Sequence, residues 1–381
     1  MDFPYVIHYF LLLLLAYMYW KRPDTKYVRW AFLIEFVFIA FRAPVVGADT
    51  WNYVRYLDGE RNFYNADNRE LETGFLIYRQ VLVALQGSRF VYMLINSFLT
   101  CYPIYLLMKK YSLNVPLSLA MASIFDLYVS YFCALRQLLG LAILVLCILY
   151  VLKNGKYRWV IYCLGTFLGW TFHVTIVIYS VLFVCAYFLK KINRKIALIC
   201  IIGSAIIGIV LQSFDVGQIF DFYLSMNLSM TERIQLYLEK EETNVLTSIF
   251  QNLRPSVIAV LIFVLIDKNK VNHWFSVIYL LGVVIGNLFI SVPMIHRITI
   301  GFIVFGPIVF SWIFSSKYYS MAEYRKKVNI ILLLFFLYFS QAYIKNNLIS
   351  NIDLTNSGRM HPYQFIWENY SQHPSIKYWG D

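Results

Sequence analysis

Four arginines stand at the end of an apolar run or inside one. They are Arg42 in FRAPVVGADTWNY, Arg136 in YFCALRQLLGLAIL, Arg254 in FQNLRPSVIAV, and Arg297 beside His296. A charge at the edge of a hydrocarbon layer costs free energy unless it is paired or put to use, so each marks a candidate site. The guanidinium fork binds phosphate oxygens bidentately and keeps its charge when partly buried. Arg136 and Arg254 also fall near the expected beginnings of helices, where unpaired backbone N–H groups favour an anion. Several such residues on one membrane face suit a polyanion, and a diphosphate head group carried by a lipid lies at that depth. Any one of them alone equally suits an arginine that snorkels to the interface or pairs with a nearby acid.

Groups able to move a proton accompany the arginines. His173, in GWTFHVTIVIY, falls between two short helical stretches, and its ordinary pKa lies near neutrality. Asp49 and Glu72 lie on either side of the first outer loop. Either can take a proton from an attacking hydroxyl or hold an arginine in place, and Asp49 also suits the N-cap of a helix starting at Thr50. His173 is the first choice of base, with Asp49 or Glu72 behind it, and Gln137, Tyr53 and His296 are supporting polar groups. No HExxH, CxxC or His/Asp cluster has ligand spacing, so a tightly bound transition metal is not expected. Without a P-loop or GxGxxG, nucleotide hydrolysis is not expected either, and no cofactor is implied.

The elements that must position these groups are membrane helices. Of 381 residues, 60% are hydrophobic and 14% charged, against roughly 25% charged in soluble domains. Apolar segments long enough to cross a core of roughly 30 Å recur along the chain, and the period-2 alternation of a membrane barrel is absent. The expected fold class is therefore all-α and polytopic. The net charge of +12 does not point to nucleic acid, because the basic residues flank apolar runs, as cytoplasmic loops do. The six cysteines all lie in apolar segments and read as packing residues. The first 20 residues lack a basic n-region and a small-residue cleavage site, so they read as a retained membrane helix.

Basic clusters set the topology. They are Lys21/Arg22/Lys26/Arg29, Lys109/Lys110, Lys153/Lys156/Arg158, Lys190/Lys191/Arg194/Lys195, Lys268/Lys270 and Lys317/Arg325/Lys326/Lys327. If all face the cytoplasm, an even number of spans separates neighbours. The pairs are 28–41 with 89–108, 113–132 with 135–152, 157–172 with 174–189, 196–212 with 249–266, and 274–292 with 298–314. A last helix, 328–344, leaves the tail 345–381 outside. The segment 74–86, at about 13 residues and carrying Arg79 and Gln80, is too short to cross and reads as a re-entrant or interfacial helix on the outer side. The count is then about 12 transmembrane helices in a single polytopic domain over 1–381, both termini outside, with larger outer loops at 42–73 and 213–248.

Taken in chain order, these motifs are similar to a known family. Arg42 with Gly47-Ala48-Asp49-Thr50 and Tyr53, then Glu72-Thr73-Gly74-Phe75, Leu135-Arg136-Gln137 and Phe172-His173, resemble the EpsG family, Wzy-like polymerases of bacterial exopolysaccharide, capsule and O-antigen. The resemblance covers roughly residues 40–175; beyond it only an outer arginine near Arg297 and Pro362-Tyr363 match. Gly140 departs from the alanine that the family more often carries soon after RQ.

The resemblance implies a glycosyltransferase acting at the outer side of the bacterial cytoplasmic (inner) membrane on undecaprenyl-diphosphate-linked oligosaccharide. A sugar hydroxyl would attack the anomeric carbon of the growing chain and undecaprenyl diphosphate would leave, with arginines rather than a metal taking its charge. The bilayer, a chain-length regulator and a flippase of the same pathway are the implied partners. A glycan ligase using the same lipid donor would need a similar site, and product length separates the two. A flippase or transporter of the same lipid would instead carry cationic residues along the membrane midplane and broken helices in paired halves. Here the polar residues keep to one side and no halves match.

Overall fold

The computed structural model of the chain describes residues 3–47, 50–57, 72–85, 88–125, 127–189, 192–212, 245–266, 271, 273–290, 295–315, 322–348, 363–369 and 371. Among them every element is helical, apart from an antiparallel bridge between Arg42 and Phe365. The helices are α1 (Phe3–Lys21), α2 (Thr25–Ala40), α3 (Thr50–Leu57), α4 (Thr73–Ala84), α5 (Arg89–Tyr111), α6 (Val115–Ile124), α7 (Leu127–Cys133) and α8 (Leu135–Leu152). They continue with α9 (Arg158–Trp170), α10 (Thr175–Phe188), α11 (Arg194–Gln212), α12 (Val245–Leu265), α13 (Trp274–Leu288), α14 (Ile295–Ile303), α15 (Gly306–Ser311) and α16 (Ala322–Leu348).

Local chemistry starts several of these helices. The Asp24 carboxylate accepts the Lys26 N–H at 2.9 Å at the head of α2, and the Ser88 hydroxyl accepts the Val91 N–H at 3.4 Å at the head of α5. Asn114 opens α6 by accepting the Leu117 N–H at 3.1 Å, and its amide also donates to Ala16 O at 3.0 Å, tying α6 to α1. By length and composition, four of the described helices can cross a membrane: Phe3–Lys21, Arg89–Tyr111, Leu135–Leu152 and Arg194–Leu211. Shorter apolar helices accompany them, among them Thr73–Ala84, Thr175–Phe188 and Trp274–Leu288.

Two expected single spans are broken. Residues 113–132 form α6 and α7, with the Phe125 N–H closing α6 on Met121 O at 3.0 Å. Residues 298–314 divide between α14, α15 and a 3-10 turn, Trp312–Ser315. Pro307 falls in the first turn of α15, where a missing N–H costs nothing, so the helix restarts there instead of running on.

The chain divides into two compact units, residues 1–181 with 325–381, and residues 182–324. In the first, α1 packs on α2 and α6, α5 packs on α2 and α8, and α8 packs on α9. The α8–α9 crossing is close because glycines meet there: a Cβ on Gly140 would lie 2.8 Å from Gly169 O. In the second unit Asn287 of α13 ties three helices together. Its side-chain oxygen accepts the Ser256 hydroxyl at 2.9 Å, and its amide donates to Ser204 Oγ at 2.9 Å.

Candidate active site

The candidate site grows from the N-terminal end of α8. Arg136 is the second residue of that helix. Its guanidinium donates through Nε to the Tyr53 hydroxyl at 3.0 Å and forms an ion pair through Nη1 with Glu72. It lies over two rings, 5.6 Å from the centroid of Tyr53 and 5.9 Å from that of Phe75. The Arg136 and Glu72 side chains are 20% and 28% exposed, so the pair is braced from beneath yet open above. The brace is an apolar cluster of Tyr53, Val54, Phe75, Leu82, Tyr92, Met93, Leu135 and Leu139.

Glu72 holds the N-cap position of α4 without using its side chain as a cap, which leaves the carboxylate for Arg136. The start of α4 is held by Gly74, whose N–H donates to Thr171 O at 2.8 Å. A Cβ on Gly74 would stand 2.2 Å from Thr171 Oγ1, so only glycine lets α4 dock this closely on the turn after α9. That turn carries His173. Its Nδ1 accepts the Thr175 backbone N–H at 3.3 Å and lies 2.8 Å from Thr175 Oγ1, capping α10. The Gln137 amide, buried, donates to the same Thr175 Oγ1 at 3.0 Å and to the Tyr179 hydroxyl at 2.6 Å. Glu72, Arg136 and His173 are thus held by one connected set of helix ends.

Arg42 is different from the diphosphate ligand that its place in the sequence suggests. It is 1% exposed, and four hydrogen bonds engage its guanidinium: Nε to Val46 O at 3.1 Å, Nη1 to Ile39 O at 2.5 Å, and Nη2 to Thr50 Oγ1 at 3.1 Å and Tyr131 O at 3.2 Å. It also stacks 4.4 Å from the Phe132 ring centroid. Thr50 Oγ1 donates to Phe132 O at 2.7 Å. Arg42 and Thr50 therefore satisfy the last carbonyls of α7, where the helix dipole favours a cation. Gly47, with φ +116°, allows the loop to pass Phe132 O, which a Cβ would meet at 2.3 Å. Burial pulls the guanidinium down to about 10, which still leaves it charged at neutral pH. The arginine that introduces the motif closes a loop, with its guanidinium engaged by protein acceptors.

The family model of the EpsG family matches residues 25–365. The chain belongs to the EpsG family. No curated protein and no solved structure matches it. Membership points to a membrane-embedded protein of polysaccharide biosynthesis with a polymerase-type activity.

Within this EpsG-family chain, the residues brought together are Tyr53, Glu72, Arg136, Gln137 and His173, all in the first unit. Arg254 belongs to the second unit, and it does not lie near a helix beginning as the sequence suggests. It sits in the interior of α12 beside Pro255, because that helix starts at Val245. His296 and Arg297 lie in the first turn of α14, and their side chains fall outside the described residues, as does Asp49 altogether.

Sequence reasoning missed three features. Thr171 and Thr175 carry no signal beyond standing beside His173. The tail residues Tyr363–Trp367 dock on the Arg42 loop, with Ala43 N–H on Gln364 O at 2.7 Å, Ile366 N–H on Phe41 O at 2.8 Å and the Tyr363 hydroxyl on Phe38 O at 2.7 Å. Buried in the first unit, Glu35 of α2 meets His8 of α1 at 3.1 Å and the Tyr128 hydroxyl of α7. An acid inside the apolar run 30–41 is itself the signal that would have found it.

Proposed function

We propose that this EpsG-family protein is a Wzy-type polysaccharide polymerase, joining undecaprenyl-diphosphate-linked oligosaccharide repeat units at the outer side of the cytoplasmic membrane. The observation that carries the reading is the partly exposed Arg136–Glu72 pair at the start of an apolar helix. Each member neutralises the other while no substrate is bound. An arriving diphosphate competes for the guanidinium and frees the Glu72 carboxylate to take a proton.

In the step itself, the hydroxyl oxygen of one repeat unit bonds to the anomeric carbon of the other. The bond from that carbon to the diphosphate oxygen breaks, and its electron pair leaves with undecaprenyl diphosphate. The hydroxyl proton passes to Glu72. The Arg136 guanidinium stabilises the leaving charge, so the scheme requires no metal. Attack opposite the leaving group inverts the anomeric configuration. With Nδ1 of His173 accepting the Thr175 N–H, the neutral ring carries its proton on Nε2 and serves better as a donor to the diphosphate than as the base. Arg254 and Arg297 enter the proposal on charge and expected membrane side alone, with about 12 spans placing that side outward.

The test is polymerisation by the purified protein given a synthetic lipid-diphosphate repeat unit and no added metal. Wild-type protein lengthens the glycan, whereas Arg136→Ala and Glu72→Gln stay folded and do not. If both variants polymerise like wild type, the site is elsewhere.

A further inference from the structure

The Arg42 loop and the tail that pairs with it carry a group of aromatic rings with no part in the chemistry above. Trp367 lies flat against Phe365, centroids 4.6 Å apart and planes at 6°. Phe41 meets Trp367 edge-on at 5.9 Å and Phe90 at 5.4 Å. Trp367 is nonetheless 64% exposed, so with Phe365 covering one face of the indole, the other is presented outward. This ring does not hang on a loose tail. Its neighbour Ile366 donates its N–H to Phe41 O at 2.8 Å and packs against the apolar cluster beneath Arg136.

Resting on the polymerase reading, we propose that the outward face of Trp367 is a stacking platform for a pyranose ring of the glycan, a subsite beside the reacting centre. An indole face is electron-rich, and the C–H groups on one side of a pyranose, polarised by neighbouring oxygens, complement it. A ring already held by Phe365 loses little freedom on binding. The residues that follow, Glu368 and Asn369, are both exposed, and Glu368 Oε2 accepts the Phe365 N–H at 3.3 Å, which keeps a carboxylate beside the stacked pair. Charge separates a sugar from a lipid surface here. In the sequence of the tail, 359–381, Arg359 and Lys377 are balanced by Glu368 and Asp381, whereas a strap that anchors to anionic lipid carries a cluster of Lys or Arg. Continuity through Ile366 with the cluster under Arg136 puts the platform where a chain held at the centre would extend.

The experiment uses full-length protein in nanodiscs of neutral lipid and, as probe, the lipid-free repeat-unit oligosaccharide released from the source strain's polysaccharide. Binding is read by saturation-transfer NMR, and elongation by product length. In Trp367→Ala, binding of the oligosaccharide should weaken roughly five- to tenfold and products should shorten, while Trp367→Phe, which keeps a flat ring, recovers most of both. Should Trp367→Ala unfold, the comparison is made with Trp367→Phe and Trp367→Leu, of similar bulk but with and without a π face. Equal binding and equal product length in the ring-bearing and ringless variants overturn the platform, even if the wild type polymerises. Binding lost in the ringless variant, from a wild type that does not polymerise, keeps the platform and overturns the polymerase reading instead.

Discussion

Arg42 and Arg136 stand 94 positions apart, each beside an apolar run, yet the protein uses them in opposite ways. Around Arg42, backbone carbonyls and Thr50 take the hydrogen bonds and the side chain is sealed. Around Arg136 the partners are side chains, an acid and a phenol, and part of the pair remains open. A guanidinium committed to helix-end carbonyls cannot turn to a ligand without leaving them unsatisfied, at about 1–3 kcal/mol each. One held by a carboxylate can exchange that partner for a diphosphate at much smaller cost. What separates these two arginines is the kind of acceptor, not the sequence context.

The sharpest way to break this contrast is Arg42→Ala. It should strip four hydrogen bonds from a buried loop and destabilise the protein by about 3 kcal/mol or more, read as a lower Tm and poor yield in detergent. Arg42→Lys should rescue little, because an ammonium cannot reproduce the fork. A well-folded but inactive Arg42→Ala protein would place Arg42 in the active site after all. Next in size, Arg136→Ala should lower turnover by roughly 10²- to 10³-fold, as loss of an oxyanion-stabilising donor does elsewhere. Its Tm should stay near wild type, since partly exposed ion pairs contribute only about 0–1 kcal/mol.

Gly74→Ala sharpens the comparison from the backbone side. Displacing α4 from Thr171 should move Glu72 away from Arg136, so turnover should fall more than tenfold, with a smaller loss of stability than Arg42→Ala. The mildest change is Tyr53→Phe, which removes one hydrogen bond to Nε and keeps the ring beneath the guanidinium. A two- to tenfold loss of turnover is expected from about 0.5–1.5 kcal/mol, measured in the same polymerisation assay.

The helices were largely legible, because runs such as 3–20 and 135–152 are apolar over a full span and the caps at Asp24, Ser88 and Asn114 are local. The breaks were less so. Pro307 announces the restart of one helix and the acid Asp126 stands at the interruption after Ile124, but the apolar length of each run alone suits a single span. At the site, Glu72, Arg136 and His173 were identifiable from charge in apolar context. Their connection was not, since it runs through Gly74, Thr171, Gln137 and Thr175, ordinary residues whose meaning comes from which helix ends meet. The setting of Arg42 was hidden for the same reason: its acceptors, Tyr131 O and the Thr50 hydroxyl anchored on Phe132 O, become visible only once α7 is in place.

The pairing of the tail with the Arg42 loop has a consequence for how the protein is made. Tyr363 bonds to Phe38 across a separation of 325 residues, and Ala43 and Phe41 pair with Gln364 and Ile366. Contacts of such long range close late. On a ribosome that inserts helices in order, the loop after α2 must wait, half-finished, until the tail has been synthesised and has reached it. The membrane then holds a protein whose helices are in place before the loop after α2 has found its last partners.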